Sequence, residues 1–192
     1  VVSFAKEVLK KSVKPFPIIE RETGNIDILL ENDDELVVIE NKITSKINGI
    51  QVKNDKEVAN QLLKYLQEAI VRVDELSDDY HNINPAKSKS HKKEISCYLL
   101  TPNYNTMHLK DYDIDDKDIH FKCDEYYTQI TYSQVYQFVK DKQPKDMYFQ
   151  EFVKAMEKHT QPYHDDLFED MKKKFAERVN QITDNKLYSI NI

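Results

Sequence analysis

The chain has 192 residues, 40% of them hydrophobic and 32% charged, with a formal net charge of −6. That length suits one domain with a core of its own, and no apolar run approaches the ~20 residues that span a bilayer. The acidic balance argues against a general polyanion binder, because such domains are basic overall; two glycines are also too few for most phosphate-cradling loops.

The start of the chain, residues 1–14, is lysine-dotted and amphipathic, without the apolar stretch and small-residue cleavage site of a signal peptide. Because the chain opens on Val1 and not Met, further residues are expected upstream. Phe4, Val8 and Leu9 recur at helical spacing and predict a helix over residues 3–12, stopped by Pro15 and Pro17. A β-hairpin follows from about residue 25 to 42, with Ile26 to Glu31 and Leu36 to Lys42 flanking the polar turn Asn32-Asp33-Asp34-Glu35. Residues 43–53 read as a loop. Asn54-Asp55 offers an N-cap, and Val58, Leu62, Tyr65, Leu66, Ala69 and Val73 then predict an amphipathic helix of roughly five turns.

Residues 77–93 are polar and end in Lys87, Lys89, His91, Lys92 and Lys93, a run that reads first as a solvated loop and second as a phosphate-tracking patch. Ile95 to Leu100 is a strand of near-continuous apolar character, expected to be buried on both faces and stopped by Thr101-Pro102-Asn103. After an aspartate-rich stretch, residues 111–118, a short strand near 126–131 leads into a helix over 133–141 with Val135, Phe138 and Val139. Two more helices close the chain, one with Phe149, Phe152, Val153 and Met156, the other with Leu167, Phe168, Met171, Phe175, Val179 and Ile182, separated by Pro162. These aromatic and methionine stripes read as core. The order α-β-β-α-β-β-α with two extra helices describes a mixed sheet flanked by helices. It is expected to form a single domain over 1–192, its core ending near 141 and a helical extension covering about 145–185.

Cys97 and Cys123 form no CxxC pattern, and Cys97 sits in an apolar run, so a buried free thiol and a reducing, cytoplasmic compartment are expected. Only Arg21, Arg72 and Arg178 are arginines. Arginine is the usual bidentate reader of guanine, so a nucleic-acid substrate would be held by phosphate contacts with little base readout. The scattered histidines show no zinc spacing, and no serine or cysteine nucleophile is recognisable.

The chemistry concentrates in the hairpin. Closed symmetrically about Asp33 and Asp34, it pairs 32 with 35, 29 with 38 and 27 with 40. Residues opposite each other on antiparallel strands share a face, with Cβ atoms ~4.5–5.5 Å apart, so Asp27 meets Glu40, and Lys42 leaves the same face one pleat on. Like charges facing each other destabilise a sheet, and a divalent cation between them is the simplest reason for the arrangement. Two carboxylates, with the main-chain carbonyl of Asn41 as a third oxygen, suit a hard cation. An ammonium beside it can hold the attacking water or offset transition-state charge. The plain alternative is a solvated ion pair at the end of a surface hairpin, which strands apolar on both faces speak against.

The segment Gly24-Asn25-Ile26-Asp27, an apolar strand and then Glu40-Asn41-Lys42 resembles the PD-(D/E)xK nuclease superfamily. Gln61-Leu62-Leu63-Lys64-Tyr65 is similar to the Q-x-x-x-Y motif of its RecB-like branch, where i, i+4 spacing puts Gln61 and Tyr65 on one helix face, and the resemblance implies that both reach a phosphate or order the site; ordinary helix packing and capping hydrogen bonds are the plain reading of that pair. The strand ending in Thr101-Pro102 and the helix opened by Ile130-Thr131-Tyr132-Ser133 extend the likeness over about 25–140. The resemblance implies a restriction-endonuclease-like α/β core, with a central mixed sheet of four or more strands flanked by helices. It also implies Mg2+ or Mn2+ held by Asp27 and Glu40, a catalytic Lys42, and hydrolysis of phosphodiester bonds in DNA. Many relatives carry a further acidic residue on a helix before the motif, for which Glu7, Glu20 and a residue upstream of Val1 are the candidates. The alternative is a module on the same scaffold that binds nucleic acid or protein without turnover, in phage defence or DNA repair. Oligomeric state and protein partners stay open.

Overall fold

The run Leu36-Val37-Val38-Ile39 becomes the centre of a five-stranded mixed sheet. A computed structural model of the chain describes residues 2–11, 15, 18–43, 46–53, 56–74, 84–85, 92–105, 107–142, 146–160 and 173–174. Strand β3 (Glu35–Asn41) is buried at every residue except Asn41, as expected of a strand covered on both faces. It pairs antiparallel with β2 (Ile26–Glu31), which pairs antiparallel with the edge strand β1 (Ile18–Thr23). On its other side β3 runs parallel to β6 (Glu94–Thr101), and β6 runs parallel to β9 (Tyr127–Thr131). The hairpin register is the expected one, with Leu29 opposite Val38 and the Asn32 N–H donating to the Glu35 carbonyl at 3.0 Å.

Helices cover both faces. On one, α2 (Gln61–Asp74) packs Leu62, Leu66, Ile70 and Val73 against Leu36, Val38 and Leu99. On the other, α1 (Val2–Glu7), α4 (Tyr132–Val139) and α5 (Met147–Lys158) enclose Val37, Ile39 and Tyr98. The chain divides into two compact units, residues 1–161 and 162–192. Of the second, only residues 173–174 are described, and they are helical. The expected helix from Leu167 to Ile182 otherwise lies outside the described residues, as do Lys87, Lys89 and His91 of the basic run. Cys97 and Cys123 are buried free thiols. No helix among the described residues is long and apolar enough to cross a membrane.

Several local expectations are corrected. The first helix stops at Glu7 instead of residue 12: Lys10 turns left-handed at φ 57°, and the Lys11 N–H reaches back to the Ala5 carbonyl at 2.9 Å. Lysine thus takes the left-handed conformation that glycine usually supplies where a helix ends. Residues 18–23 form a strand that was not expected. Part of the expected loop and the first turn of the expected second helix are instead two short antiparallel strands, β4 (Gln51–Lys53) and β5 (Lys56–Ala59). Helix α2 starts at Gln61, capped by Asn60, whose Oδ1 accepts the Leu63 N–H at 3.0 Å. The expected cap at Asn54-Asp55 lies outside the described residues. The aspartate-rich stretch folds as a 3-10 turn, Leu109–Tyr112, and a small hairpin of β7 (Ile114–Asp115) and β8 (His120–Phe121). A single helical turn, α3 (Cys123–Tyr126), takes Tyr126 out of the last strand.

Candidate active site

The β2–β3 ladder runs as far as Ile28 opposite Ile39. One step further in the same register Asp27 comes opposite Glu40, and the ladder gives way to a side chain: Asp27 Oδ2 accepts the Asn41 N–H at 2.7 Å. Asp27 and Glu40 therefore stand on one face, the face of α2. Glu40 is 2% exposed and Lys42 5% exposed. The Lys42 ammonium lies 2.7 Å from Glu40 Oε1, whereas Oε2 is buried without a hydrogen-bond partner. Burial pushes the Glu40 carboxyl up to about 7; Lys42 opposes that rise, and the Asp27 carboxylate adds to it. Both carboxylates are acceptors, so one proton or one cation must stand between them for the contact to be favourable.

Asn41 is held from both faces. Its side-chain Oδ1 accepts the Tyr132 hydroxyl at 2.8 Å, and Tyr132 packs against the ring of His159 with centroids 5.3 Å apart. His159 Nδ1 in turn lies 2.7 Å from the Tyr104 hydroxyl. The Lys42 N–H donates to the Leu100 carbonyl at 2.9 Å, and its carbonyl accepts from Asn105 Nδ2 at 3.3 Å. Successive residues of a strand turn their N–H and C=O to opposite sides. With Lys42 turned toward β6, the Asn41 carbonyl is directed to the β2 side, where Asp27 stands.

Gln61 and Tyr65 reach the same end of the sheet from α2. Gln61 Nε2 donates to the Tyr65 hydroxyl at 2.5 Å, and that hydroxyl donates to the Asn25 carbonyl at 2.6 Å. Gln61 Oε1 accepts the Asn48 N–H at 3.3 Å. Asn25 belongs to the two-residue turn Gly24-Asn25 between β1 and β2, with φ 59° and 68°. Positive φ at both positions makes it a type I′ turn, which glycine and asparagine favour. Tyr65 is 2% exposed; burial is the largest cause that pushes its hydroxyl up to about 12, and the charges of Glu40 and Asp27 add to it. Both side chains thus brace the turn that leads into Asp27.

Of the two further acids, Glu20 is taken by Arg72, whose Nη1 and Nη2 reach its carboxylate at 2.9 and 3.1 Å. Among the described residues no group of three or more His, Cys, Asp and Glu side chains could hold a metal ion, so neither Glu7 nor Glu20 completes one with Asp27 and Glu40. The pair alone still fits a hard cation. Glu40 Oε2 is a buried carboxyl oxygen without a hydrogen-bond partner, beside a second carboxylate, and Mg2+ is commonly bound by one or two carboxylates with water and substrate oxygens filling the rest.

Sequence reasoning brings Asp27, Glu40, Lys42, Gln61 and Tyr65 to one place and misses Tyr132, Asn105 and the side chain of Asn41. The signal for Tyr132 was its place at the start of α4, directly after the end of a parallel strand, where open α/β sheets gather their ligand-binding groups. No protein-family model matches the chain, and neither a curated protein nor a solved structure does so.

Proposed function

We propose that the chain is a divalent-metal-dependent nuclease of the PD-(D/E)xK type, hydrolysing phosphodiester bonds in DNA. The observation that carries this reading is the buried Glu40 carboxylate, its Oε2 orphaned beside Asp27 and its Oε1 held by Lys42. Asp27 and Glu40 would hold the ion, with the Asn41 carbonyl as a further oxygen. A bound Mg2+ or Mn2+ supplies Lewis-acid polarisation of a phosphoryl oxygen and of water. Lys42 brings a fixed positive charge to the face where negative charge develops on the phosphoryl oxygens, and a donor that can orient the attacking water. Water attacks in line, a P–O bond breaks, and the proton leaves with the departing alcohol. Gln61 and Tyr65 keep the Gly24-Asn25 turn, and with it Asp27, in place. DNA is the partner on this reading, held by phosphate contacts near the site, and the setting is cytoplasmic.

A second reading, a nucleic-acid-binding module without turnover, is favoured by one observation: no third His, Cys, Asp or Glu side chain among the described residues joins Asp27 and Glu40 in a metal-holding group. Incubation of linear and circular DNA with Mg2+ or Mn2+, with and without EDTA, separates the two. Metal-dependent cleavage abolished by Asp27→Asn supports the nuclease. DNA binding with no metal-dependent cleavage supports the module.

A further inference from the structure

Beside the carboxylate pair, and not including it, lies a cleft of about 760 Å³. Gln61, Tyr65 and Asn25 form the wall it shares with the site, and α2, β4, the end of β5, the segment through Asn48 and Gly49, and Ile119 supply the rest. Its chemistry differs from that of a phosphate channel. Among the described residues Lys64 is the only charged one lining it, and that ammonium is offset by Glu68 at 3.6 Å. What the cleft offers instead is carboxamide. Asn60 and Gln61 are spent on the fold, Asn60 on the α2 cap and the Tyr112 carbonyl, Gln61 on Asn48 and Tyr65. The side chains of Asn25, Asn48 and Gln51 are exposed on its rim and make no hydrogen bond within the described residues.

Each free carboxamide presents a donor and an acceptor side by side, the pattern that matches the edge of a nucleobase. A volume of this size takes a nucleoside-sized ligand. In a duplex the Watson–Crick edges are already paired; in a single strand they are exposed and can be splayed into a pocket. We infer that this amide-rimmed cleft binds an unpaired nucleobase adjacent to the scissile phosphate, so that the preferred substrate is single-stranded DNA gripped through its bases more than its phosphates. The inference rests on the nuclease reading for the position of the phosphate, while the cleft's own chemistry defines the ligand class. The net charge of −6 agrees with it, because a grip on bases releases few counterions.

The test measures binding apart from cleavage. Fluorescence anisotropy of the full chain in EDTA is recorded with a labelled single strand, the matching duplex, and a strand of equal length whose bases are replaced by abasic sites. The single strand is expected to bind about tenfold tighter than either competitor, and the double variant Asn48→Ala, Gln51→Ala to lose about tenfold on the single strand and nothing on the abasic one. Equal affinity for the abasic strand, no measurable binding, or a double variant that binds as wild type overturns the cleft assignment. Cleavage in Mn2+ is assayed separately on the same strands: base-dependent binding without cleavage sinks the nuclease reading alone, and metal-dependent cleavage without base-dependent binding sinks the cleft alone.

Discussion

The hydroxyl of Tyr132 donates to Oδ1 of Asn41 at 2.8 Å across 91 positions of sequence, and Asn41 passes the constraint on through its own N–H to Asp27. A residue at the start of a helix on one face of the sheet is thereby linked to a carboxylate on the other. Tyr132→Phe keeps the ring against His159 and removes only the donor. Loss of one hydrogen bond is expected to cost about 1 kcal/mol of stability, while on the nuclease reading proposed above, losing an outer partner of a metal ligand should weaken Mn2+ binding about tenfold or more. Calorimetric titration with Mn2+ measures this; unchanged affinity in Tyr132→Phe would mean that Asn41 does not position Asp27.

Glu40 gives the metal-free protein a pH signature. Its folded pKa, about 7, lies above its ordinary 4.5. The folded state therefore holds a proton that the unfolded state releases, and stability falls as pH rises between those values. Glu20 and Glu31, held low mainly through Arg72 and Lys93 against the cost of burial, act in the opposite sense and below that window. Urea midpoints in EDTA should drop from pH 5 to pH 7.5, and Glu40→Gln should flatten the slope. A wild-type profile that rises across this range contradicts the assignment.

The pair of Glu40 and Lys42 is buried at both ends, with side chains 2% and 6% exposed. Lys42→Ala leaves a carboxylate in a low-dielectric site without its cation, which typically costs about 3–5 kcal/mol. The loss should be larger at pH 8 than at pH 5, where Glu40 can take up a proton. Removing both charges, as Glu40→Gln with Lys42→Met, is expected to recover most of the stability and none of the cleavage. Denaturation at the two pH values reads the first effect; a single variant as stable as wild type at pH 8 rules it out.

Asn60 spends its side chain on the α2 cap and on the Tyr112 carbonyl, at 3.0 and 2.9 Å. Asn60→Ala should cost about 1–2 kcal/mol. Because Gln61 follows directly, on the nuclease reading cleavage should fall by more than the unfolded fraction explains. Asn60→Asp keeps the cap acceptor and separates the two contributions by its melting temperature.

The hairpin that carries the site is legible in sequence for a physical reason: a polar turn between two apolar runs admits one register, and one slipped residue would turn Glu40 to the other face. The parallel strand at Ile95 to Leu100 is legible from its unbroken apolar character. Strand β1 is not, because five of its six residues are exposed and Arg21, Glu22 and Thr23 carry no burial pattern. The start of α2 misleads because Val58 happens to fall in phase with Leu62 and Tyr65, while the residue that ends the extended segment is Asn60, whose capping bond appears only in three dimensions. Tyr132 is hidden for a related reason: its partner is close in space and far along the chain.

Those separations also set the order in which the site is built. Asp27 and Asn41 are 14 positions apart, within reach of a hairpin that closes in about 1–10 μs. The Tyr132 bond has to wait for the two parallel strands, whose pairing bears the loop-closure entropy of long intervening segments and is slow. By these timescales the hairpin is expected to bring Asp27, Glu40 and Lys42 together before the Tyr132 bond that steadies Asn41 can form.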